Sequence, residues 1–253
     1  MIDDAAELAE SLAAWAVQRM RVAPRTRTTK VHPADIVTDT DTAIEQYVRD
    51  RIADRFPGHG VAGEELPDTE GYPVWYVDPV DGTTNYASGL GWCSFTLALA
   101  DESGPVLGVV ADPFRGETFT AQRGAGAFLN GQPIRCGDWQ SLDGTVVLTE
   151  WNSHQPWPGA FGMIEALARR HCTVRVMGSS ALSLATMAAG RAAATVLGEY
   201  HPVDSMAGLL IAQEAGALAD WTKTGLIAAA PALAGLIAEA VPGSMGAQSS
   251  EWP

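Results

Sequence analysis

The sequence predicts a layered α/β fold, an α+β arrangement in which two lobes share one cleft. Three observations point to it. Two amphipathic helical patterns open the chain, short apolar strands with turn signals fill its middle, and beyond about residue 140 strands and helices alternate. The 253-residue length suits one large domain or two half-sized lobes, and 47% hydrophobic residues are ample for a buried core. The expected division is an N-terminal α+β lobe over 1–140 and a C-terminal α/β lobe over 141–253. No low-complexity linker separates the two textures, so they should form one compact unit.

Leu8, Leu12, Trp15 and Met20 recur at helical spacing among Glu7, Glu10, Gln18 and Arg19, which makes the first twenty residues a helix. A second helix is expected over 42–56. Ile44, Val48, Ile52 and Phe56 form its apolar face, Thr42 and Glu45 stand at capping-box spacing, and Pro57-Gly58 stops it. Val74-Trp75-Tyr76-Val77 reads as a strand that ends at Asp78-Pro79 and hands the following residues to a loop. Apolar strands follow over 95–100, 106–111 and 117–122, and Asn130-Gly131 marks a hairpin turn, so the middle should be antiparallel sheet. The second half reads as strand 145–148, helix 158–170, strand 173–177 and helix 181–189. The most apolar stretch, 226–241, is short for a bilayer span of about 20 residues and is broken by Pro231 and Glu239.

A formal charge of −14 argues against a nucleic-acid partner, because such binding relies on Lys and Arg releasing counterions. A small anionic substrate would need cations from elsewhere, and bound metal is one source. Cys93, Cys136 and Cys172 are odd in number, widely spaced and without a CxxC pair, so neither a disulfide framework nor a zinc knuckle is expected. The acidic opening Met1-Ile2-Asp3-Asp4 has no signal-peptide character, and a cytoplasmic location fits both features.

The chemistry concentrates in Asp78-Pro79-Val80-Asp81-Gly82-Thr83. Two carboxylates three residues apart around a proline can face one point, and hard oxygen donors suit Mg²⁺, with the Val80 carbonyl as a further ligand. Gly82 admits close approach, and the amides of Gly82 and Thr83 can cradle phosphate oxygens. By itself the motif also reads as a solvated turn. It does not meet the donor spacing of an EF-hand. Its company argues for a site: Gly63-Glu64-Glu65 lies upstream, and His201-Pro202-Val203-Asp204 leads into a helix ending at Glu214-Ala215-Gly216.

These stations, together with Ala34-Asp35-Ile36-Val37-Thr38-Asp39-Thr40-Asp41, resemble the inositol monophosphatase family over about residues 5–240. The resemblance implies an αβαβα sandwich of the inositol monophosphatase and fructose-1,6-bisphosphatase type. It implies hydrolysis of a small phosphate monoester with two or three Mg²⁺ ions per site. Glu64, Asp78 and the Val80 carbonyl would hold one ion; Asp78, Asp81 and Asp204 would hold a second; Glu64 would touch a third. Thr83, paired with Asp41, and Glu64 would orient and deprotonate the attacking water. Gly82, Thr83, Ser179, Ser180 and His201 would meet the substrate, and relatives are often homodimers.

Lys30 matches a basic position of that family and either faces the metal site or is a surface lysine. Glu65 reads as the structural or solvated half of its pair. His201 stands where relatives contact the leaving group and is equally consistent with a structural role. Val203 replaces a Trp usual before the last aspartate, and Leu197 replaces an acidic sugar-binding residue, which disfavours inositol phosphate. The candidate substrates are therefore a sugar, cyclitol or histidinol phosphate. The alternatives are a catalytically silent metal-binding or regulatory member of the fold and a nucleotide 3′-phosphatase, the latter disfavoured by Thr84-Asn85-Tyr86.

Overall fold

A computed structural model of the chain describes residues 2–151, 155–223 and 225–243. The first helix, α1 (Ile2–Met20), buries Ala5, Ala9, Leu12, Ala13, Ala16 and Met20, a stripe at three- and four-residue spacing. Its alanines let the helix axis lie close to the sheet beneath it. A small antiparallel hairpin, β1 (Arg27–Thr29) and β2 (Ile36–Thr38), leads into α2 (Asp39–Arg55). Trp15 of α1 stacks on Tyr47 of α2 at 3.9 Å between ring centroids.

The start of α2 corrects the sequence expectation by three residues. Thr38 is the N-cap, and Asp41 at the third helical position accepts its backbone N–H at 3.0 Å, so the capping box lies upstream of the Thr42/Glu45 pair. Glu45 is fully buried and does other work: it pairs with Arg49 at 2.7 Å and accepts the amides of Glu65 and Leu66 at 2.7 and 3.1 Å. A cap near 42 is therefore excluded, and Glu45 anchors the loop that carries Glu64.

A seven-stranded sheet follows in chain order: β3 (Gly60–Gly63), β4 (Val74–Asp81), β5 (Ser94–Asp101), β6 (Gly104–Asp112), β7 (Glu117–Gln122), β8 (Gly126–Leu129) and β9 (Gln132–Ile134). A short helix, α3 (Thr83–Ala87), lies between β4 and β5. All neighbouring pairs are antiparallel except β3 with β4, so the expected middle sheet is present. Asn130 and Gly131 both take positive φ (49° and 76°), the conformation a two-residue hairpin turn requires.

The second half reads β10 (Val146–Thr149), α4 (Ala160–Ala168), β11 (Thr173–Val176), α5 (Ser180–Ala188), β12 (Ala194–Leu197), α6 (Pro202–Glu214), β13 (Leu218–Trp221), β14 (Leu226–Ala229) and α7 (Ala234–Ala240). Its five strands form a mixed sheet in the order β11-β10-β12-β14-β13, parallel over the first three and antiparallel over the last two.

Three buried clusters define the layers. One joins α1 and α2 to the seven-stranded sheet, one joins both sheets through α5 and α6, and one joins the five-stranded sheet to α4 and α7. The architecture is an αβαβα sandwich, with α5 and α6 as the middle layer. Close seating of α6 needs Gly108 on β6, where a Cβ would stand 2.9 Å from the Ala207 carbonyl oxygen. The apolar stretch 226–241 is a strand, a 3₁₀ turn and a helix within this sandwich, and among the described residues no helix is long and apolar enough to cross a membrane.

Candidate active site

Strand β4 carries the acidic motif within itself, where a loop was expected. Asp78 pairs with Thr96 and Asp81 with Ser94, so three residues on β4 advance against two on β5, a bulge at Pro79-Val80. Proline, with no N–H to give a ladder, is suited to that bulge. The Val80 amide folds back to Asp78 Oδ1 at 2.9 Å. Gly82 then takes a left-handed conformation (φ 95°), where a Cβ would lie 2.8 Å from the Gly178 carbonyl oxygen. Glycine is required there on both grounds.

Thr83 opens α3, and its hydroxyl lies 3.0 Å from Asp41 Oδ1 and 2.9 Å from the Val80 carbonyl oxygen. One hydroxyl hydrogen cannot serve both acceptors fully, so a proton on Asp41 would relieve the competition. Burial, set against the hydrogen bonds from Thr38 and Thr83, raises the Asp41 carboxyl to about 6. Asn85 donates from Nδ2 to the carbonyls of Trp92 and Met177, each at 2.8 Å, tying the two halves of the chain together.

Asp81 is held by the start of α5. It accepts the Ser180 amide at 3.0 Å, the Ala181 amide at 2.8 Å and the Ser179 hydroxyl at 2.5 Å, while Ser94 Oγ lies 3.3 Å away. A carboxylate at this helix N-terminus meets orphan amides and the positive end of the helix dipole. Burial nevertheless outweighs these donors and raises Asp81 to about 6. Ser179 is fully buried behind Asp81 and is absent from the cavity wall, which corrects its expected placement against substrate.

Asp204 enters from the first turn of α6, after Pro202 at the helix start. Burial, and then the neighbouring charges of Asp81, Glu64 and Glu150, push its carboxyl well up, with Lys30 opposing. Asp78 is pushed up by burial and then by Glu64, Asp204, Asp81 and Asp41. Glu64 follows β3, and Lys30 bonds both it and Glu65, at 2.9 and 2.7 Å. Burial works against the Lys30 ammonium, but the two glutamates prevail and hold it protonated. Burial lifts Glu65 to about 7 in spite of Lys30. Lys30 is therefore at the site and Glu65 is the more enclosed glutamate, with its side chain 6% exposed against 32% for Glu64.

These elements enclose a cavity of about 270 Å³ whose wall brings together Glu64, Asp78, Val80, Asp81, Gly82, Thr83, Ser180 and Asp204. Asp41 lies behind Thr83. His201 stands outside the lining, half-exposed, with Nε2 3.4 Å from Glu199. Leu197 is buried at the end of β12. Sequence reasoning missed Asp35, Glu150 and Trp151, which also line the cavity. The available signal for Glu150 was its place just past the end of a parallel strand, where α/β sheets gather ligands. Glu150 accepts the Ser180 hydroxyl at 2.5 Å, and burial with the Asp81 charge raises it to about 7.

Among the described residues no three His, Cys, Asp or Glu side chains are grouped closely enough to hold an ion by themselves. The donor chemistry nonetheless fits a hard divalent cation. The wall offers carboxylates, hydroxyls and a carbonyl, with neither His nor Cys, and burial followed by mutual repulsion raises the proton affinity of Asp78 and Asp204.

Comparison with known proteins agrees with this geometry. The Inositol monophosphatase family model matches residues 1–245. The chain is 38% identical to a fructose-1,6-bisphosphatase/inositol-1-monophosphatase of Thermotoga maritima over 73% of this chain and 70% of that one. It is 37% identical to the Nus factor SuhB of Pasteurella multocida over 76% and 74%. The solved structure of a Thermotoga maritima IMPase superposes with a TM-score of 0.86 at 28% identity, covering 94% of this chain and 96% of that one. A match of this extent, on a fold with the same five layers, shows that the chain belongs to the inositol monophosphatase family.

Proposed function

We propose that the chain is a Mg²⁺-dependent phosphatase that hydrolyses a small phosphate monoester by direct attack of water, releasing inorganic phosphate. The observation that carries this is the convergence of Glu64, Asp78, Asp81 and Asp204 on one cavity beside the left-handed Gly82-Thr83 turn. Glu64, Asp78, the Val80 carbonyl, Asp81 and Asp204 are the residues that would hold Mg²⁺. When bound, Mg²⁺ supplies positive charge that neutralises the phosphate and makes a nearby water a better nucleophile. Gly82 and Thr83 present backbone amides to phosphate oxygens, while the Thr83 hydroxyl stays committed to Asp41. Thr83, backed by Asp41, and Glu64 orient the water and take its proton, and Ser180 lines the substrate side. The two sheets act as one catalytic unit, because Asp81 of one is held by α5 beside the other.

The test is phosphate release from a panel of monoesters with and without Mg²⁺, repeated on Asp81→Asn. Mg²⁺-dependent release that Asp81→Asn abolishes supports the reading, and full activity in Asp81→Asn refutes it. A second reading, regulatory binding without turnover, draws on the relatives named Nus factor SuhB. It requires that no monoester be hydrolysed under any Mg²⁺ concentration.

A further inference from the structure

A closed circuit of bonds frames the acidic motif. Asn85, in α3 just past Asp81-Gly82-Thr83, donates from Nδ2 to the Met177 carbonyl at 2.8 Å. The Met177 amide donates to the Thr149 carbonyl at 2.8 Å, at the end of β10. Glu150, the next residue, accepts the Ser180 hydroxyl at 2.5 Å, and the Ser180 amide returns to Asp81 Oδ1 at 3.0 Å. Thr149 is held from both sides: it pairs with Val176 and Val196, and its hydroxyl donates to the Val196 carbonyl at 2.7 Å. Glu150 therefore stands on a fixed strand end.

The start of α5 has no such footing of its own. Ser179 occupies the N-cap position, yet its side chain makes no cap bond, because its hydroxyl donates to Asp81 Oδ2. Asp81 takes over that duty from another strand, accepting the amides of Ser180 and Ala181. These bonds converge on one carboxyl group, which can turn together with the helix end that it caps. The bond from Ser180 to Glu150 lies off that pivot and ties the helix end to β10.

Resting on the Mg²⁺ reading above, we infer that Glu150 is a positioning residue for Asp81. Through Ser180 it sets the angle at which the Asp81 carboxylate meets the ion. It acts as a hydrogen-bond acceptor on a fixed strand end, and touches neither substrate nor metal in that role. Partners that hold a metal ligand in place tune affinity although they donate nothing to the ion.

Calorimetric titration with Mg²⁺ tests this without turnover, on the wild type, Glu150→Gln, Glu150→Ala, Ser180→Ala and the Glu150→Ala/Ser180→Ala double variant, with thermal melts alongside. Gln keeps an oxygen that accepts the Ser180 hydroxyl, and Ala has none. Glu150→Ala and Ser180→Ala should each weaken Mg²⁺ binding about tenfold, and Glu150→Gln less than about threefold. The double variant should lose no more than either single one, because both remove the same bond. Equal losses in Glu150→Gln and Glu150→Ala mean that charge acts instead of the bond, and additive losses mean that the two residues act apart; either result overturns the inference. So does a Kd that Glu150→Ala and Ser180→Ala leave unchanged, with or without a lower melting temperature, which is what a purely structural contact gives. A wild type that binds no Mg²⁺ refutes the metal reading itself, and the inference with it.

Discussion

Stripping divalent ions and raising the pH will destabilise this protein, and Mg²⁺ will restore it most at neutral pH. Asp41 and Asp81 are buried, and their carboxyls titrate at about 6 in the folded chain against 3.8 for an ordinary aspartate. Between those values the folded chain binds more protons than the unfolded one, so stability is greatest at low pH, falls as pH rises through the interval, and stays low above it. Each shift corresponds to on the order of 3 kcal/mol. Asp78 and Asp204, shifted the same way, steepen the fall. The acids held below their ordinary values by arginine, Asp101 by Arg123 and Glu117 by Arg191, oppose the trend only toward the acid side. At about 2–4 °C per kcal/mol for a chain of this size, one such group is worth a melting-temperature drop of about 6 °C or more. Mg²⁺ binding the folded state alone, at a hundredfold its Kd, returns about 2.7 kcal/mol per site. Circular-dichroism melts from about pH 4.5 to about pH 7.5, in chelator and in Mg²⁺, measure both effects. A chelated protein whose melting temperature is flat or rises over that range, or one that gains as much from Mg²⁺ at the acid end as at the neutral end, refutes the reasoning.

Thr83→Ala leaves Asp41 bonded only to Thr38; it should lower kcat while shifting the Mg²⁺ concentration for half-activity less than about threefold, and cost about 1–2 kcal/mol in a urea melt. Ser179→Ala removes the hydroxyl that bonds Asp81 and should raise the Mg²⁺ requirement about tenfold, read from Mg²⁺ titrations of the rate. Gly108→Ala drives a methyl against the Ala207 backbone and should cost about 1–3 kcal/mol of stability in thermal unfolding.

The large periodic elements were legible in the sequence because their burial is one-sided. The stripe of α1 and the apolar runs of β5, β6 and β7 follow from which face meets the core. The hairpin of β1 and β2 was illegible, since strands of three residues show no period. The start of α2 was misplaced because two cap signals lie close together, and only the burial of Glu45 against Arg49 decides between them. Asp78 and Asp81 were legible from their spacing around Pro79, and Asp41, Glu64 and Asp204 only through the family resemblance, while the environments of all five were not legible. That Asp81 receives the amides of α5, that Lys30 bridges Glu64 and Glu65, and that His201 turns away toward Glu199 all depend on tertiary approach. Trp151 has no partner at readable spacing, and Glu150 offered only its place just past a strand end, so the cavity is what brings both to notice.

The grip of α5 on Asp81 has a consequence for how the chain matures on the ribosome. When residues up to about 150 have emerged, Asp41, Glu64, Asp78 and Asp81 are already present, yet the amides that orient Asp81 and the carboxylate of Asp204 are still unsynthesised. The nascent N-terminal portion thus has acids without their final alignment. Alignment of Asp81 and arrival of Asp204 therefore both wait on docking of the second half of the chain.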